Sequence, residues 1–162
     1  MIKYTNRCRI EFCGEIETLG HILGICPHGS LLRNLRHNQI RTIISNAFRE
    51  NNYLVFEEVH CISDDGSNRR IDMIAIEGSK GYVIDPTILL ETCETQPIDT
   101  DKNKKKIYEP CIPYLLDKYK LLNIEVIGLM IGARGTIPGF FEFFYNVMCF
   151  YMLFKYSCHN VT

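Results

Sequence analysis

Apolar side chains recur every three or four residues between Leu31 and Phe48, with arginines on the other faces. This spacing predicts an amphipathic helix over residues 31–50, with one side packed on a core. The helix is predicted to end at Asn51-Asn52, because asparagine favours helix ends and turns over helix interiors.

The next part of the chain has the composition of strands, with segments rich in β-branched residues. A cluster of turn residues, Asp64-Asp65-Gly66-Ser67, separates the first of these segments from the others. Short connections of this kind join antiparallel neighbours. The predicted strands cover residues 53–61, about 70–77 and about 81–88.

From residue 100 to residue 122 the pattern is helical again, with Pro110 and Pro113 breaking it near the middle. A near-continuous apolar run at residues 124–131 predicts a buried strand. The order of elements predicts an α/β fold with a small mixed sheet and flanking helices. The expected division is a Cys/His segment at residues 1–30, the α/β domain at residues 31–139 and a C-terminal part at residues 140–162.

The apolar stretch Phe140–Phe154 is shorter than the roughly 20 residues that a membrane-spanning helix needs. A buried helix is the favoured interpretation, and a membrane-associated segment and a poorly packed tail are the alternatives. No membrane partner is expected.

Composition limits the functions that this chain can have. Its 162 residues, 46% of them apolar, suffice for one ordinary domain, and a net charge of −1 argues against a protein that coats nucleic acid by bulk charge. Basic residues nevertheless cluster locally, and such clusters around an acidic centre suit a nuclease, although a solvated surface explains each cluster equally well. The clusters comprise Arg33, Arg36 and Arg41, then Arg69 and Arg70, then Lys102, Lys104, Lys105 and Lys106.

The chain has eight cysteines but no apolar signal sequence at its N-terminus. Reduced thiols in an intracellular protein, nuclear or cytoplasmic and not secreted, are therefore expected. Those outside the Cys/His segment are predicted to be buried thiols without a second cluster. They are Cys61, Cys93, Cys111, Cys149 and Cys158.

Four possible zinc ligands lie close together near the N-terminus: Cys8, Cys13, His21 and Cys26, with four, seven and four residues between them. Zn²⁺ takes four tetrahedral nitrogen and sulfur ligands, which a short chain supplies by folding two close pairs around the ion. A structural Zn²⁺ site is predicted. The alternatives are a chance cluster in a cysteine-rich chain and a site in which His28 replaces one ligand.

Asp72 and Asp85 lie in two predicted neighbouring strands, where carboxylates are unusual. If the strands pair, both carboxylates can meet at one end of the sheet and hold Mg²⁺ or Mn²⁺. Glu58 in the preceding strand is a candidate third acid, while strict alternation places Glu57 on the opposite face. Alternatively, both aspartates are strand-end carboxylates paired with Arg70 or a turn amide.

These motifs, in this order, resemble the zinc knuckle and C-terminal restriction-like endonuclease domain of site-specific non-LTR retrotransposon polyproteins, a relative of the PD-(D/E)xK nucleases. The resemblance covers about residues 8–140. It rests on Cys-x4-Cys-x7-His-x4-Cys, Leu-Arg-His-Asn at 35–38, Gly-x-x-Arg-Arg-Ile-Asp at 66–72, Val-Ile-Asp-Pro-Thr at 83–87, Lys-x-x-x-Tyr at 104–108 and Gly-Ala-Arg-Gly-Thr-Ile-Pro at 132–138.

The resemblance implies a restriction-endonuclease-like fold behind a CCHC zinc knuckle, and an enzyme that nicks target DNA to prime reverse transcription. It assigns the two acidic catalytic positions to Asp72 and Asp85, and an upstream acidic position to Glu58. It assigns the catalytic lysine to Lys104, on the helix after the strand, four residues before the family tyrosine at Tyr108.

The same resemblance implies the expected partners. These are a DNA target, element RNA and a reverse transcriptase domain in cis in the parent polyprotein. The zinc knuckle and the basic helix after it are expected to contact nucleic acid. The arginines expected to make such contacts are Arg33, Arg36, Arg41, Arg69 and Arg70. The alternative functions are a non-catalytic nucleic-acid-binding remnant of such a polyprotein and a relic without function.

Overall fold

The computed structural model describes residues 6–136. A small hairpin closed by the Arg7–Ile16 bridge opens this part of the chain. It is followed by a π-helical turn and a short 3-10 turn, which lead into the first long helix. The remaining elements are α1 (Ser30–Glu50), β1 (Leu54–Ile62), β2 (Asn68–Glu77), β3 (Lys80–Leu89), α2 (Gln96–Tyr108), α3 (Ile112–Tyr119) and β4 (Asn123–Gly132).

The four strands form one sheet in the order β1-β2-β3-β4, with the first three antiparallel and β4 parallel to β3. The parallel step is made through α2 and α3, as a crossover connection requires. The predicted mixed α/β fold is confirmed. So is the break in the second helical region, where Pro110 lies in a 3-10 turn and Pro113 opens α3.

Helices cover both faces of the sheet, and each face has its own apolar core. Phe48 of α1 packs with Met73 and Ile84 on one face. On the other face, Leu115 of α3 packs with Val83. The central strands are therefore buried on both sides, and this holds their backbone positions firmly.

The sheet divides halfway along its strands. Pairing between β2 and β3 ends at Met73↔Ile84. Beyond that pair β2 continues beside β1, while β3 continues beside β4 from Asp85↔Gly128 onward. We call this opening the fork. Asp72 and Asp85 are the first residues of the two diverging halves.

The alternation of side chains between the two faces of the sheet is interrupted beside the fork, in β1 and in β2. Glu58 has a positive φ of 53° and is the β1 residue that the register sets opposite Asp72. Glu57 and Glu58 consequently both pair with Arg41 of α1. The prediction that Glu57 points to the opposite face is wrong, because strict alternation assumes regular backbone at every position.

Cys93 is exposed, so its prediction as a buried thiol is wrong, whereas Cys61 and Cys111 are buried as predicted. Among residues 6–136, no helix has the length and apolar character needed to cross a membrane. The predictions for residues 140–162, including Cys149 and Cys158, lie outside the described residues.

Candidate functional site

Asp85 is the most enclosed charged group at the fork, with 4% of its surface exposed. Its Oδ1 lies 2.7 Å from the Lys104 ammonium nitrogen. Its Oδ2 accepts a hydrogen bond of 2.6 Å from the Tyr108 hydroxyl. A buried carboxylate requires partners of this kind, because an unpaired charge away from water is costly.

Tyr108 spans the fork on the α2 side. Its hydroxyl lies near the Arg70 carbonyl in β2, at 3.3 Å, as well as near Asp85 in β3. Burial and the neighbouring Asp85 carboxylate raise the pKa of Tyr108. The phenol therefore keeps its proton and remains a hydrogen-bond donor.

His37 spans the same opening from the α1 side. Its Nε2 lies 3.1 Å from Asp72 Oδ2 and 3.1 Å from the Pro86 carbonyl oxygen. The hydrogen bond with Asp72 raises the pKa of His37, against the opposing effect of burial. The sequence contains His37 within the Leu-Arg-His-Asn motif, but nothing in the spacing indicates this partner.

Gly128 lets α2 come close enough for Lys104 to reach Asp85. A Cβ at position 128 would lie 2.7 Å from Lys104 Cβ and 2.8 Å from Asp101 Cα. Only a residue without a side chain fits at that distance. Lys104 thus lies on α2, the helix after β3, as the resemblance implies.

Gly128→Ala is expected to destabilise the protein by about 1–3 kcal/mol, the usual cost of overpacking. The added methyl group must displace the backbone of α2 as well as a side chain. Urea unfolding measures the change as a lower midpoint at constant m-value. Gly24→Ala is the matched control, since a Cβ there meets no atom within 4 Å, and equal effects of the two changes would contradict this account of the helix contact.

A polar cavity of about 440 Å³ adjoins the fork between α1 and the β1–β2 edge. Glu58 at its rim pairs with Arg41 and, at 2.8 Å, with Arg70. The cavity therefore offers basic and acidic groups side by side next to Asp72. Its lining residues are Asn34, His37, Asn38, Arg41, Glu58, His60, Arg70 and Asp72.

Two of the five arginines predicted to contact nucleic acid have partners inside the protein that attach the Cys/His segment to α1. Arg33 Nη1 donates to the Cys26 carbonyl at 2.6 Å, and Arg36 Nη2 donates to the Leu23 carbonyl at 3.0 Å. Arg69 is half-buried in β2, whereas most of the Arg70 side chain is exposed near the fork. Arg70 is therefore a solvent-facing cation on the β2 side of the fork.

The four cysteine and histidine residues near the N-terminus converge. One ligand atom from each of Cys8, Cys13, His21 and Cys26 lies within 4.8 Å of all the others. Cys13 Sγ is 3.7 Å from Cys26 Sγ and 3.2 Å from His21 Nε2. Two sulfurs bound at about 2.3 Å to one tetrahedral ion are about 3.7 Å apart, so the cluster could bind zinc.

Local structure explains this convergence. The hairpin brings Cys8 and Cys13 together through a turn with positive φ at Phe12 and Gly14. The π-helical turn His21–Ile25 then returns Cys26 to His21, with a Cys26 amide to His21 carbonyl bond of 2.8 Å. Within residues 6–136 this is the one group of three or more such side chains close enough to share an ion. Asp72, Asp85 and Glu58 do not form a second one.

No protein-family model matches the chain. It is similar to the retrovirus-related Pol polyprotein from type-1 retrotransposable element R2 of Popillia japonica, with 28% identity over 138 residues, covering 82% of this chain and 28% of that protein. The corresponding protein of Nasonia vitripennis is 35% identical over 125 residues, covering 77% of this chain and 11% of that protein.

The chain thus spans only about a quarter and a tenth of the lengths of these two relatives. The expected relation to a retrotransposon polyprotein is confirmed, because both similarities extend over most of the chain. It is a relation to one segment of those polyproteins.

Proposed function

We propose that this chain is a metal-dependent endonuclease domain that nicks DNA by hydrolysing a phosphodiester. One observation carries the proposal. At the fork Asp85 contacts both Lys104 and Tyr108, and the register makes Asp72 the adjoining residue on the other half of the sheet. Two carboxylates with a lysine are a minimal set for metal-assisted hydrolysis. We assign the mixed sheet with its flanking helices to the restriction-endonuclease-like class.

The groups at the fork fit a hard cation. Asp72, Asp85 and the Pro86 carbonyl supply oxygen atoms, which Mg²⁺ and Mn²⁺ prefer over nitrogen or sulfur. Asp72 and Asp85 would hold the ion. When bound, the ion would polarise the scissile phosphate and lower the pKa of the attacking water.

The side chains around these carboxylates have separable roles. The Lys104 ammonium supplies positive charge where the phosphate gains negative charge during hydrolysis. Tyr108 orients Asp85 by donating to one of its oxygens, and His37 orients Asp72 in the same way. Because Tyr108 and His37 approach from opposite faces of the sheet, they also set the width of the opening between β2 and β3.

Glu58 lies on the β1 side of Asp72, and its partners Arg41 and Arg70 compensate its charge while no substrate is bound. Arg69 and Arg70 are positioned to meet the phosphate backbone of DNA. Binding of arginine side chains to phosphates carries no sequence information and weakens as salt rises.

The relation to R2 Pol polyproteins supports nicking of a genomic target as the role of this activity. In a parent polyprotein, a reverse transcriptase domain in cis would extend the DNA 3′ end that the nick exposes. Target DNA is then the substrate, and element RNA is a further partner. The Cys/His segment, loaded with structural Zn²⁺, would be part of the nucleic-acid-binding surface.

The test is conversion of supercoiled plasmid to the nicked form with Mg²⁺. The wild-type chain is expected to nick, and Asp72→Ala to lower the rate constant by about 100-fold, through loss of one metal ligand and of the His37 partner. Lys102→Ala is the control, because Lys102 is exposed on the same helix as Lys104. Plasmid that is bound but not nicked by any of these proteins would reject the enzyme and favour a nucleic-acid-binding remnant.

A further inference from the structure

We propose that Asp101 is a positioning residue that holds the Lys104 ammonium in contact with the Asp85 carboxylate. This inference rests on the proposed nuclease function for its catalytic meaning. The placement of Lys104 by Asp101 is a separate statement that can be measured without any reaction.

Asp101 joins α2 to the sheet by a hydrogen bond beside the fork. Its Oδ1 accepts a 2.9 Å hydrogen bond from the Gly128 backbone amide in β4. Gly128 is the residue that pairs with Asp85 across the parallel β3–β4 ladder. The hydrogen bond between Asp101 and Gly128 therefore lies on the strand next to Asp85, the carboxylate that Lys104 contacts.

Asp101 and Lys104 are three residues apart in the helix, so they share one face and move together. A Cβ at Gly128 would contact the Asp101 backbone and the Lys104 side chain simultaneously, which shows how tightly this face is seated. Sliding α2 along β4 would break the Asp101 bond and carry Lys104 away from Asp85. No other side-chain hydrogen bond joins α2 to β4 among residues 6–136.

The second oxygen of Asp101 is held as well. Its Oδ2 lies 2.7 Å from the ammonium nitrogen of Lys105, whose side chain is 39% exposed. An ion pair between helical residues four apart contributes little to stability by itself. It orients the carboxylate so that Oδ1 faces β4. The bond to the Gly128 amide, rather than the charge of Asp101, is therefore the part that matters for Lys104.

Two variants of Asp101 separate its hydrogen bond to Gly128 from its negative charge. Asp101→Asn keeps an oxygen acceptor for the Gly128 amide and loses the charge, whereas Asp101→Ala loses both. Asp99→Ala removes an exposed carboxylate from the same helix and is the matched control. All three variants are first checked for folding by circular dichroism.

The direct measurement is NMR of the lysine ammonium groups in the full chain, with the Lys104 signal identified by its absence in Lys104→Arg. A slowly exchanging Lys104 signal is expected for the wild type, Asp101→Asn and Asp99→Ala. Its loss is expected for Asp101→Ala. In the plasmid assay, Asp101→Ala should lower kcat by about 100-fold, the usual cost of a displacement near 1 Å, with KM for plasmid nearly unchanged.

Two results would overturn the inference. One is a retained Lys104 signal in Asp101→Ala, and the other is an Asp101→Asn variant as defective as Asp101→Ala. If the wild type shows no Mg²⁺-dependent nicking, the proposed function fails while the Lys104 signal still decides the role of Asp101. If the wild type nicks and folded Asp101→Ala nicks equally well, the positioning role fails and the nuclease stands.

Discussion

Asp85→Asn is expected to lower the rate constant of Mg²⁺-dependent nicking by about a thousandfold, the equivalent of roughly 4 kcal/mol of transition-state stabilisation. The effect should exceed that of Asp72→Ala. Asp85 would be a metal ligand, and it is also the group that holds Lys104 and Tyr108 in place. An asparagine keeps an oxygen for Tyr108 but removes the charge that attracts both the metal and the ammonium. The measurement is single-turnover nicking of supercoiled plasmid at saturating protein.

Glu125→Gln is the matched control for Asp85→Asn. Glu125 also pairs with a lysine, Lys80, at 3.3 Å, but on an exposed part of the sheet. The same loss of one carboxylate charge should leave nicking unchanged there. An Asp85→Asn protein that folds and nicks at the wild-type rate would remove Asp85 from the metal site.

Much of the fold follows from local pattern. The predicted helix at residues 31–50 is α1 almost to the residue, since its apolar spacing continues without interruption. The segments with strand composition give β1, β2 and β3, because β-branched residues between turn residues favour strands. The predicted break at Pro110 and Pro113 is found because proline restricts its own backbone whatever the surrounding fold.

The fork does not follow from local pattern. It depends on β2 and β3 each preferring its outer neighbour beyond Met73 and Ile84, and on the positive φ of Glu58. Both are results of packing against α1 and α2. Ideal strand alternation therefore misplaces Glu57, whereas the positions of Asp72 and Asp85 in neighbouring strands follow from local pattern.

The sequence pattern does not reveal the residues that contact or position the fork carboxylates and Lys104, for a related reason. His37, Asp101 and Gly128 act through partners that are far away in sequence, such as the Asp72 partner of His37. A lone histidine, a helical aspartate and a glycine in a strand each have ordinary structural explanations. Arg33 and Arg36 likewise have partners that the sequence pattern does not reveal, because they donate to backbone carbonyls of the Cys/His segment, and their contact with nucleic acid stays a prediction.

The hydrogen bonds of Arg33 and Arg36 join α1 to the Cys/His segment. Loss of zinc is therefore expected to destabilise the start of α1 as well as the segment itself. Freshly purified protein is expected to contain one Zn²⁺ per chain, and Cys26→Ser to lose it. Cys26 is fully buried, and its carbonyl receives Arg33. Structural zinc sites supply about 10–16 kcal/mol of apparent binding free energy, so residues 8–29 should unfold without the ion.

Hydrogen exchange provides the spatial readout. Amides of residues 18–29 should lose their protection in Cys26→Ser, and the first turns of α1 should lose part of theirs because Arg33 and Arg36 have lost their acceptors. Amides of β3 and β4, which lie in the double-sided core, should keep theirs. Cys93→Ser is the control, since Cys93 is an exposed thiol outside the cluster and its replacement should change neither zinc content nor exchange. Protein that is free of zinc when isolated, yet protected throughout residues 18–29, would show that the four side chains converge for packing alone.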